Sequence, residues 1–205
     1  MKPLGVLVSG HGSNLQAILD ACAQGEIAGR VACVISSNPA AFAGDRAQKA
    51  GVPYHILPKM TPEARDEHIT RLLRNHDVQG VCLAGYMRLL TPNFVETWWD
   101  RLLNIHPSLL PSFKGLHAQR QALLAGVKVT GCTVHFVRPA MDEGPIVLQA
   151  TTPVFEDDTE DSLSQRIHTL EHRIYVQALR WYCKDRLIIR DERVFLRPEN
   201  GLALR

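Results

Sequence analysis

Short runs of apolar residues alternate with helical patterns along the first half of the chain. The runs at 4–8, 31–35, 53–57 and 81–84 are typical of strands, and apolar positions at helical spacing lie between them. Repeated units of strand and helix favour a parallel sheet with helices on both faces. The pattern therefore predicts an α/β fold with a Rossmann-like, open and mostly parallel twisted sheet.

The second half of the chain has a different pattern. Two β-type runs, at 129–137 and 146–150, follow one another with no helix between them, which predicts antiparallel additions to the sheet. A long helix follows Asp157 and Asp158, and the segment from Asp185 onward has the pattern of a small hairpin. On the long helix, four residues fall outside the predicted buried stripe and are expected on the outer face: His168, Glu171, His172 and Tyr175.

One apolar run ends in side chains that can donate hydrogen bonds. The run 102–105 suits a buried strand, and Pro107 cannot continue a sheet ladder, so Asn104 and His106 are expected at the carboxyl end of this strand. In an open α/β sheet that edge binds ligands. An amide donor beside a histidine can stabilise an oxyanion and move a proton. The alternative is a polar loop with a surface histidine, and residues elsewhere in the chain decide between the two.

A glycine loop, residues 9–14, follows the first apolar run and leads into a helix. Such a loop presents backbone N–H groups and the positive end of the helix dipole, so it suits a phosphate, and Ser13 or Asn14 is expected to cap the helix or to add a donor. A dinucleotide fingerprint needs glycine where this chain has Leu15, and the lysine of a P-loop is also missing. A single phosphomonoester is the remaining ligand, with an empty tight turn as the alternative.

Two further loops are expected near the same edge of the sheet. The apolar loop 85–90 follows the fourth run, and there it would either line the site of a flat heterocycle or cover the core as a turn with one exposed Arg. The loop 138–145 carries Asp142, and it is either solvated surface or folds back over the strand end that carries His106. His135 precedes this loop on the more polar face of its strand.

Composition narrows the class of protein. The chain has 205 residues, of which 45% are hydrophobic, enough to bury a sizeable core as one domain or as two tightly fused halves. A formal charge of +2 argues against a nucleic-acid partner. No apolar run approaches the length of a membrane span, and no signal peptide is visible, so a cytoplasmic location is expected. The five cysteines form no C-x-x-C pair, which indicates buried, reduced thiols rather than structural zinc.

Five stretches of sequence together resemble one enzyme family. SGHGSNLQA follows the first strand, GYMRLL follows the fourth, and LLNIHPSLLP, FKGLHAQRQAL and MDEGPIV come later in the chain. This set resembles the folate-dependent glycinamide ribonucleotide transformylases of purine synthesis over nearly the whole chain. The resemblance implies the formyltransferase fold as a single domain, residues 1–205, with a phosphate- or nucleotide-binding half (1–100) and a catalytic and folate-binding half (101–205). It also implies transfer of a formyl group from 10-formyltetrahydrofolate, as cosubstrate, to the amine of glycinamide ribonucleotide, with no metal.

The resemblance also implies roles for individual residues. The catalytic positions are Asn104, His106 and Asp142. The contacts to glycinamide ribonucleotide are Gly12, Ser13, Asn14 and Glu171. The folate contacts are Met87, Arg88, Leu89, Leu90, Asn104 and Asp142. In such a site His106 and Asn104 would hydrogen-bond the negative oxygen of a tetrahedral intermediate, and Asp142 would favour the cationic imidazole.

The chain departs from the family pattern in two places. The family often has a folate-contacting Arg after the third strand, where this chain offers Lys59 and Arg65 without a secure register, so neither is assigned. His168 stands where the family commonly has Gln.

Other functions in the same fold remain as alternatives. Formyltetrahydrofolate deformylase usually carries an N-terminal regulatory domain, and methionyl-tRNA formyltransferase needs a C-terminal RNA-binding domain; this sequence predicts neither. A catalytically silent nucleotide-binding module would not need Asn104, His106 and Asp142 to converge. The partners expected are therefore small-molecule substrates, with no nucleic acid and no membrane, and the chain is expected to be a monomer or a homodimer.

Overall fold

The structure is a computed structural model that describes residues 1–198. The strands are β1 (Lys2–Val8), β2 (Gly29–Ser36), β3 (Tyr54–Ile56), β4 (Gly80–Leu83), β5 (Leu102–His106), β6 (Val129–Phe136), β7 (Ile146–Pro153), β8 (Leu187–Arg190) and β9 (Arg193–Leu196). The helices are α1 (Ser13–Ala23), α2 (Ala43–Lys49), α3 (Pro62–Asn75), α4 (Pro92–Thr97), α5 (Ala118–Leu124) and α6 (Glu160–Cys183). The predicted alternation of strand and helix is confirmed, as is the hairpin, β8–β9.

Seven strands form one sheet in the order β3-β2-β1-β4-β5-β6-β7. The pairs from β3 to β5 are parallel, and β5–β6 and β6–β7 are antiparallel. The predicted α/β class, with antiparallel additions in the C-terminal half, is therefore confirmed. The order reverses between β1 and β4, and an open α/β sheet binds ligands outside the carboxyl ends of the strands at such a reversal.

Two layers of apolar side chains cover the sheet. On one face, strand residues such as Val6 and Leu103 pack with Ile18 of α1 and Ile167 of α6. On the other face, strand residues such as Leu102 pack with apolar residues of α3 and α4. Burial on both faces explains why the strand runs read as continuous apolar segments.

The outward orientation expected for part of α6 is wrong for two residues. Tyr175 is fully buried, and its hydroxyl lies 3.1 Å from the backbone oxygens of both Leu83 and Leu103, which share its single donated hydrogen. Glu171 is also buried, at 4% exposure. Both polar groups face inward because they find hydrogen-bond partners there, and helical spacing carries no information about such partners.

Other features agree with the sequence, or stay as predictions. All five cysteines are free, and four of them are buried; burial raises the pKa of the partly buried Cys22 thiol to about 11. Within residues 1–198, no helix combines the length and apolarity that a membrane span needs. The proposed division at residue 100 stays a prediction, and its C-terminal part includes residues 199–205, which lie outside the described residues.

Candidate active site

The carboxyl end of β5 places two polar side chains at the ligand-binding edge. His106 is buried and Asn104 is half-buried, as expected near the end of a strand that is covered on both faces. The strand ends at His106 because Pro107 has no N–H for the ladder. The sequence prediction that both residues stand at the end of this strand is confirmed.

Both ring nitrogens of His106 face hydrogen-bond acceptors. Nε2 lies 2.9 Å from the backbone oxygen of Phe113, which can only accept, so Nε2 carries a hydrogen. Nδ1 lies 3.5 Å from Oδ2 of Asp142, and both side chains are largely buried. A ring with an acceptor at each nitrogen is best satisfied as the imidazolium, which donates at both positions. The geometry therefore sets an acceptor beside each ring nitrogen of His106.

The loop 138–145 folds back over the strand end, as one of the two sequence readings predicted. Asp142 has φ 51°, in the left-handed region, and its Oδ2 accepts a hydrogen bond of 2.7 Å from the backbone N–H of Gly115. Gly144 has φ 125°, and a Cβ there would collide with the backbone oxygen of Phe136. A glycine is therefore needed for the tight return that brings Asp142 beside His106.

Asn104 has a buried neighbour that the sequence did not single out. The register of β5 and β6 pairs Asn104 with His135, and Asn104 Nδ2 lies 3.2 Å from His135 Nε2. His135 is 1% exposed, so its strand face is polar, as predicted, but not solvated. Burial lowers the pKa of His135 below its ordinary value. The sequence signal was only a histidine on a polar strand face, and the contact with Asn104 depends on register between strands.

The glycine loop after β1 enters α1 without a side-chain cap. The residue before the helix, Gly12, has φ 76°, and no side chain bonds the first amides, so the expected cap by Ser13 or Asn14 is wrong. A Cβ at Gly12 would lie 2.9 Å from Cβ of Ala43, so close packing on α2 also favours glycine. The first amides of a helix have no acceptor within it. The loop therefore offers backbone donors at the positive end of α1.

Asn14 joins the glycine loop to α6. Its Nδ2 donates to Oε2 of Glu171 over 2.9 Å, and both side chains are buried. Burial raises the pKa of the Glu171 carboxyl above its ordinary value, and Asn14, His168 and His106 oppose that rise. The effect of His106 on the pKa of Glu171 links the end of β5 electrostatically to α6, and the bond from Asn14 links α6 to the glycine loop. In the described part of the chain, Oδ1 of Asn14 is buried with no hydrogen-bond partner.

The loop after β4 lies beside the glycine loop, as predicted. Met87 N donates to Oγ of Ser9 over 2.8 Å, at the reversal of strand order. Of the four expected folate contacts in this loop, Met87, Arg88 and Leu89 are exposed, and Leu90 is half-buried. Arg65, which the sequence left unassigned, donates to the backbone oxygen of Leu89. The Arg65 side chain therefore stabilises this loop by bonding to the backbone of the loop.

Among residues 1–198, no group of three or more His, Cys, Asp or Glu side chains is arranged to hold a metal ion. The expectation that no metal takes part stays a prediction.

The strand order reverses between β1 and β4, and Asn104, His106 and Asp142 gather at the adjacent strand end, as in the ligand-binding crevice of an α/β enzyme. The profile of the Formyl transferase family matches residues 2–179. The chain belongs to this family, and the resemblance drawn from the sequence motifs is confirmed.

Individual relatives agree with the family. The chain is 44% identical over 194 residues to the phosphoribosylglycinamide formyltransferase of Escherichia coli, which covers 93% of this chain and 92% of that protein. The structure of glycinamide ribonucleotide transformylase 1 from Symbiobacterium toebii superposes with a TM-score of 0.93, at 51% identity, over 97% of this chain and 95% of that one. A formyltetrahydrofolate deformylase from Pseudomonas syringae has a TM-score of 0.90 but 28% identity, over 96% of this chain and 66% of that one.

Proposed function

We propose that this chain transfers the formyl group of 10-formyltetrahydrofolate to the amine of glycinamide ribonucleotide. The observation that carries the proposal is the hydrogen bond between Asn14 in the glycine loop and Glu171 on α6. The glycine loop, which suits a phosphate, is tied through Asn14 to Glu171, and Glu171 lies within electrostatic reach of His106. A phosphorylated acceptor bound at the loop can therefore reach the residues suited to formyl chemistry.

In the proposed reaction, the amine nitrogen attacks the formyl carbon and forms a tetrahedral intermediate whose oxygen carries negative charge. Asn104 and cationic His106 stabilise that oxygen by hydrogen bonds. The bond from carbon to N10 then breaks, and the proton lost by the amine passes to N10, with a water beside Asp142 as relay. The His106 N–H that donates to Phe113 O is the donor we assign to the oxyanion, so the turn at Phe113 shifts when formyl-folate binds.

The acceptor is held at two points in this proposal. The backbone N–H groups of Gly12, Ser13 and Asn14 bind the phosphate, helped by the positive end of α1. Glu171 binds the amine or a ribose hydroxyl. Its carboxyl is buried with a hydrogen bond from Asn14, so it is held in place before the acceptor arrives.

The folate is placed along the loop after β4. In this proposal the heterocycle is lined by the four loop residues Met87, Arg88, Leu89 and Leu90. Asn104 and Asp142 contact the formylated end of the folate. The exposed apolar side chains of Met87 and Leu89 suit a flat ligand, because its binding would remove them from water. Hydrogen bonds from Arg65 and to Ser9 hold the backbone of this loop in position.

The alternative function is hydrolysis of formyl-folate, in which water replaces the amine at the same formyl carbon. Incubation with 10-formyltetrahydrofolate labelled at the formyl carbon, in the presence of glycinamide ribonucleotide, separates the two. Transfer predicts that the label appears in formylglycinamide ribonucleotide, one formyl group for each folate consumed. Label released as formate would support hydrolysis, and unreacted formyl-folate would support a silent binding module.

A further inference from the structure

We infer that His135 is a positioning residue that fixes the side-chain amide of Asn104 in one of its two flipped orientations. The inference deepens the proposed function, since it rests on Asn104 acting as a hydrogen-bond donor to the formyl oxygen.

His135 is placed for this role by the sheet. It is paired with Asn104 across the antiparallel β5–β6 ladder, so the two side chains share a face. The ladder between β6 and β7 shifts register between Val134 and His135. Such an irregularity re-aims the side chain at which it occurs, and these features are common beside active sites.

The hydrogen bonds of His135 determine its tautomer. Nδ1 lies 3.0 Å from the backbone oxygen of Phe136, which accepts only, so Nδ1 carries the hydrogen. Deep burial disfavours the cation and lowers the pKa of the ring, against the opposing effect of the nearby Asp142. In a neutral ring protonated at Nδ1, Nε2 is an acceptor. The group that faces Nε2 must therefore be a donor.

Asn104 supplies that donor only in one orientation. Its Nδ2 lies 3.2 Å from His135 Nε2 and donates one N–H to it. Rotating the amide by half a turn would set Oδ1 against the lone pair of Nε2, leaving two acceptors in contact. Leaving a buried polar pair without its hydrogen bond is unfavourable. This cost keeps Nδ2 in place, with its second N–H left for a ligand.

The His135 ring is itself surrounded by other residues of the site. The charged or titratable side chains that act on it are Asp142 and His106, and the backbone of Glu143 lies against it. His135 is therefore packed between the strand that carries Asn104 and the loop that carries Asp142. A change at His135 acts on the orientation of Asn104 without removing any group that we assign to either substrate.

Two substitutions separate the hydrogen bond from the bulk of the ring. Gln at 135 can place an amide oxygen near the Nε2 position and accept from Asn104, whereas Leu cannot. We expect His135→Leu to lower kcat about 10- to 100-fold. This fall should not exceed the fall in kcat that follows removal of an entire oxyanion donor. KM for both substrates should change by less than about threefold, since no substrate contact is lost. His135→Gln should keep most of the activity, and His55→Leu, at a partly buried histidine on β3, is the matched control.

A double-mutant cycle with Asn104→Ala tests whether the two residues act as a unit. The inference predicts that His135→Leu has little further effect once Asn104 is alanine. Equal losses from His135→Leu in both backgrounds would overturn it, as would wild-type turnover of His135→Leu. Thermal melts of each variant, followed by circular dichroism, identify any loss that comes from unfolding.

A measurement that needs no activity completes the test. The ¹⁵N spectrum of His135 in the wild-type chain should show the neutral tautomer protonated at Nδ1, with Nε2 accepting from the Asn104 amide. A ring protonated at Nε2 would contradict the inference whatever the enzyme transfers. If this tautomer is found but no formyl group reaches glycinamide ribonucleotide, the proposed function fails and the arrangement of His135 stands.

Discussion

Asp142→Asn removes the negative charge beside His106 and leaves the shape of the side chain almost unchanged. Asp142 Oδ2 and His106 Nδ1 are 3.5 Å apart. Two unit charges at that distance attract by about 5 kcal/mol at an effective dielectric of about 20. The amide oxygen of Asn can still accept from Gly115, so the loop keeps its anchor. If the reaction uses about 3–4 kcal/mol of this attraction, turnover falls about 10²- to 10³-fold.

The assay is steady-state formyl transfer, with calorimetry of each substrate to show that both still bind. The matched control is Glu143→Gln, which removes a charge from the same loop at the exposed pair with Lys114. Exposed pairs contribute little, so this control should keep turnover within about twofold. Asp142→Asn with turnover close to that of Glu143→Gln would refute the role given to the charge of Asp142.

Three further predictions concern binding and stability. Gly12→Ala should weaken binding of glycinamide ribonucleotide and spare folate binding, because the new Cβ crowds Ala43 and strains the loop; equal calorimetric affinity for the ribonucleotide would contradict the phosphate site. Burial raises the pKa of Glu171, so the folded chain holds a proton that the unfolded chain releases above about pH 4.5, and stability attributable to this group falls as pH rises. The difference in melting temperature between Glu171→Gln and wild type should therefore favour the variant more at pH 8 than at pH 4. The same variant should lose affinity for the ribonucleotide. Tyr175→Phe leaves the oxygens of Leu83 and Leu103 without the hydroxyl hydrogen that they share, and denaturant unfolding should show a loss of about 1–3 kcal/mol; an unchanged midpoint would show that this shared hydrogen bond contributes nothing.

The sheet and the end of β5 could be predicted because their signals are local. Apolar runs of strand length, separated by helical patterns, determine an α/β class without knowledge of contacts. Pro107 determines where β5 stops, and this places Asn104 and His106 at the ligand edge whatever surrounds them. The return of the loop 138–145 was open from the sequence, since a loop with two acids and Gly-Pro is equally typical of solvated surface.

The features that sequence analysis missed depend on partners far along the chain. Asn14 was expected either to cap α1 or to add a side-chain donor, and the acceptor that it finds, Glu171, is 157 residues away. For the same reason Glu171 was placed on the outer face of α6. His135 acquires its role only when β6 is aligned with β5, 31 residues back. Periodicity describes one element at a time, so it does not contain these pairings.

The dependence of formyl-folate consumption on the acceptor tests the central claim most directly. A transferase gains its rate by holding the amine against the formyl carbon, whereas hydrolysis needs only water. Purified protein is mixed with 10-formyltetrahydrofolate, and consumption is followed with and without glycinamide ribonucleotide. The account predicts slow loss of formyl-folate alone and a steep rise as the ribonucleotide is added. Formate released equally fast with no acceptor present would contradict it.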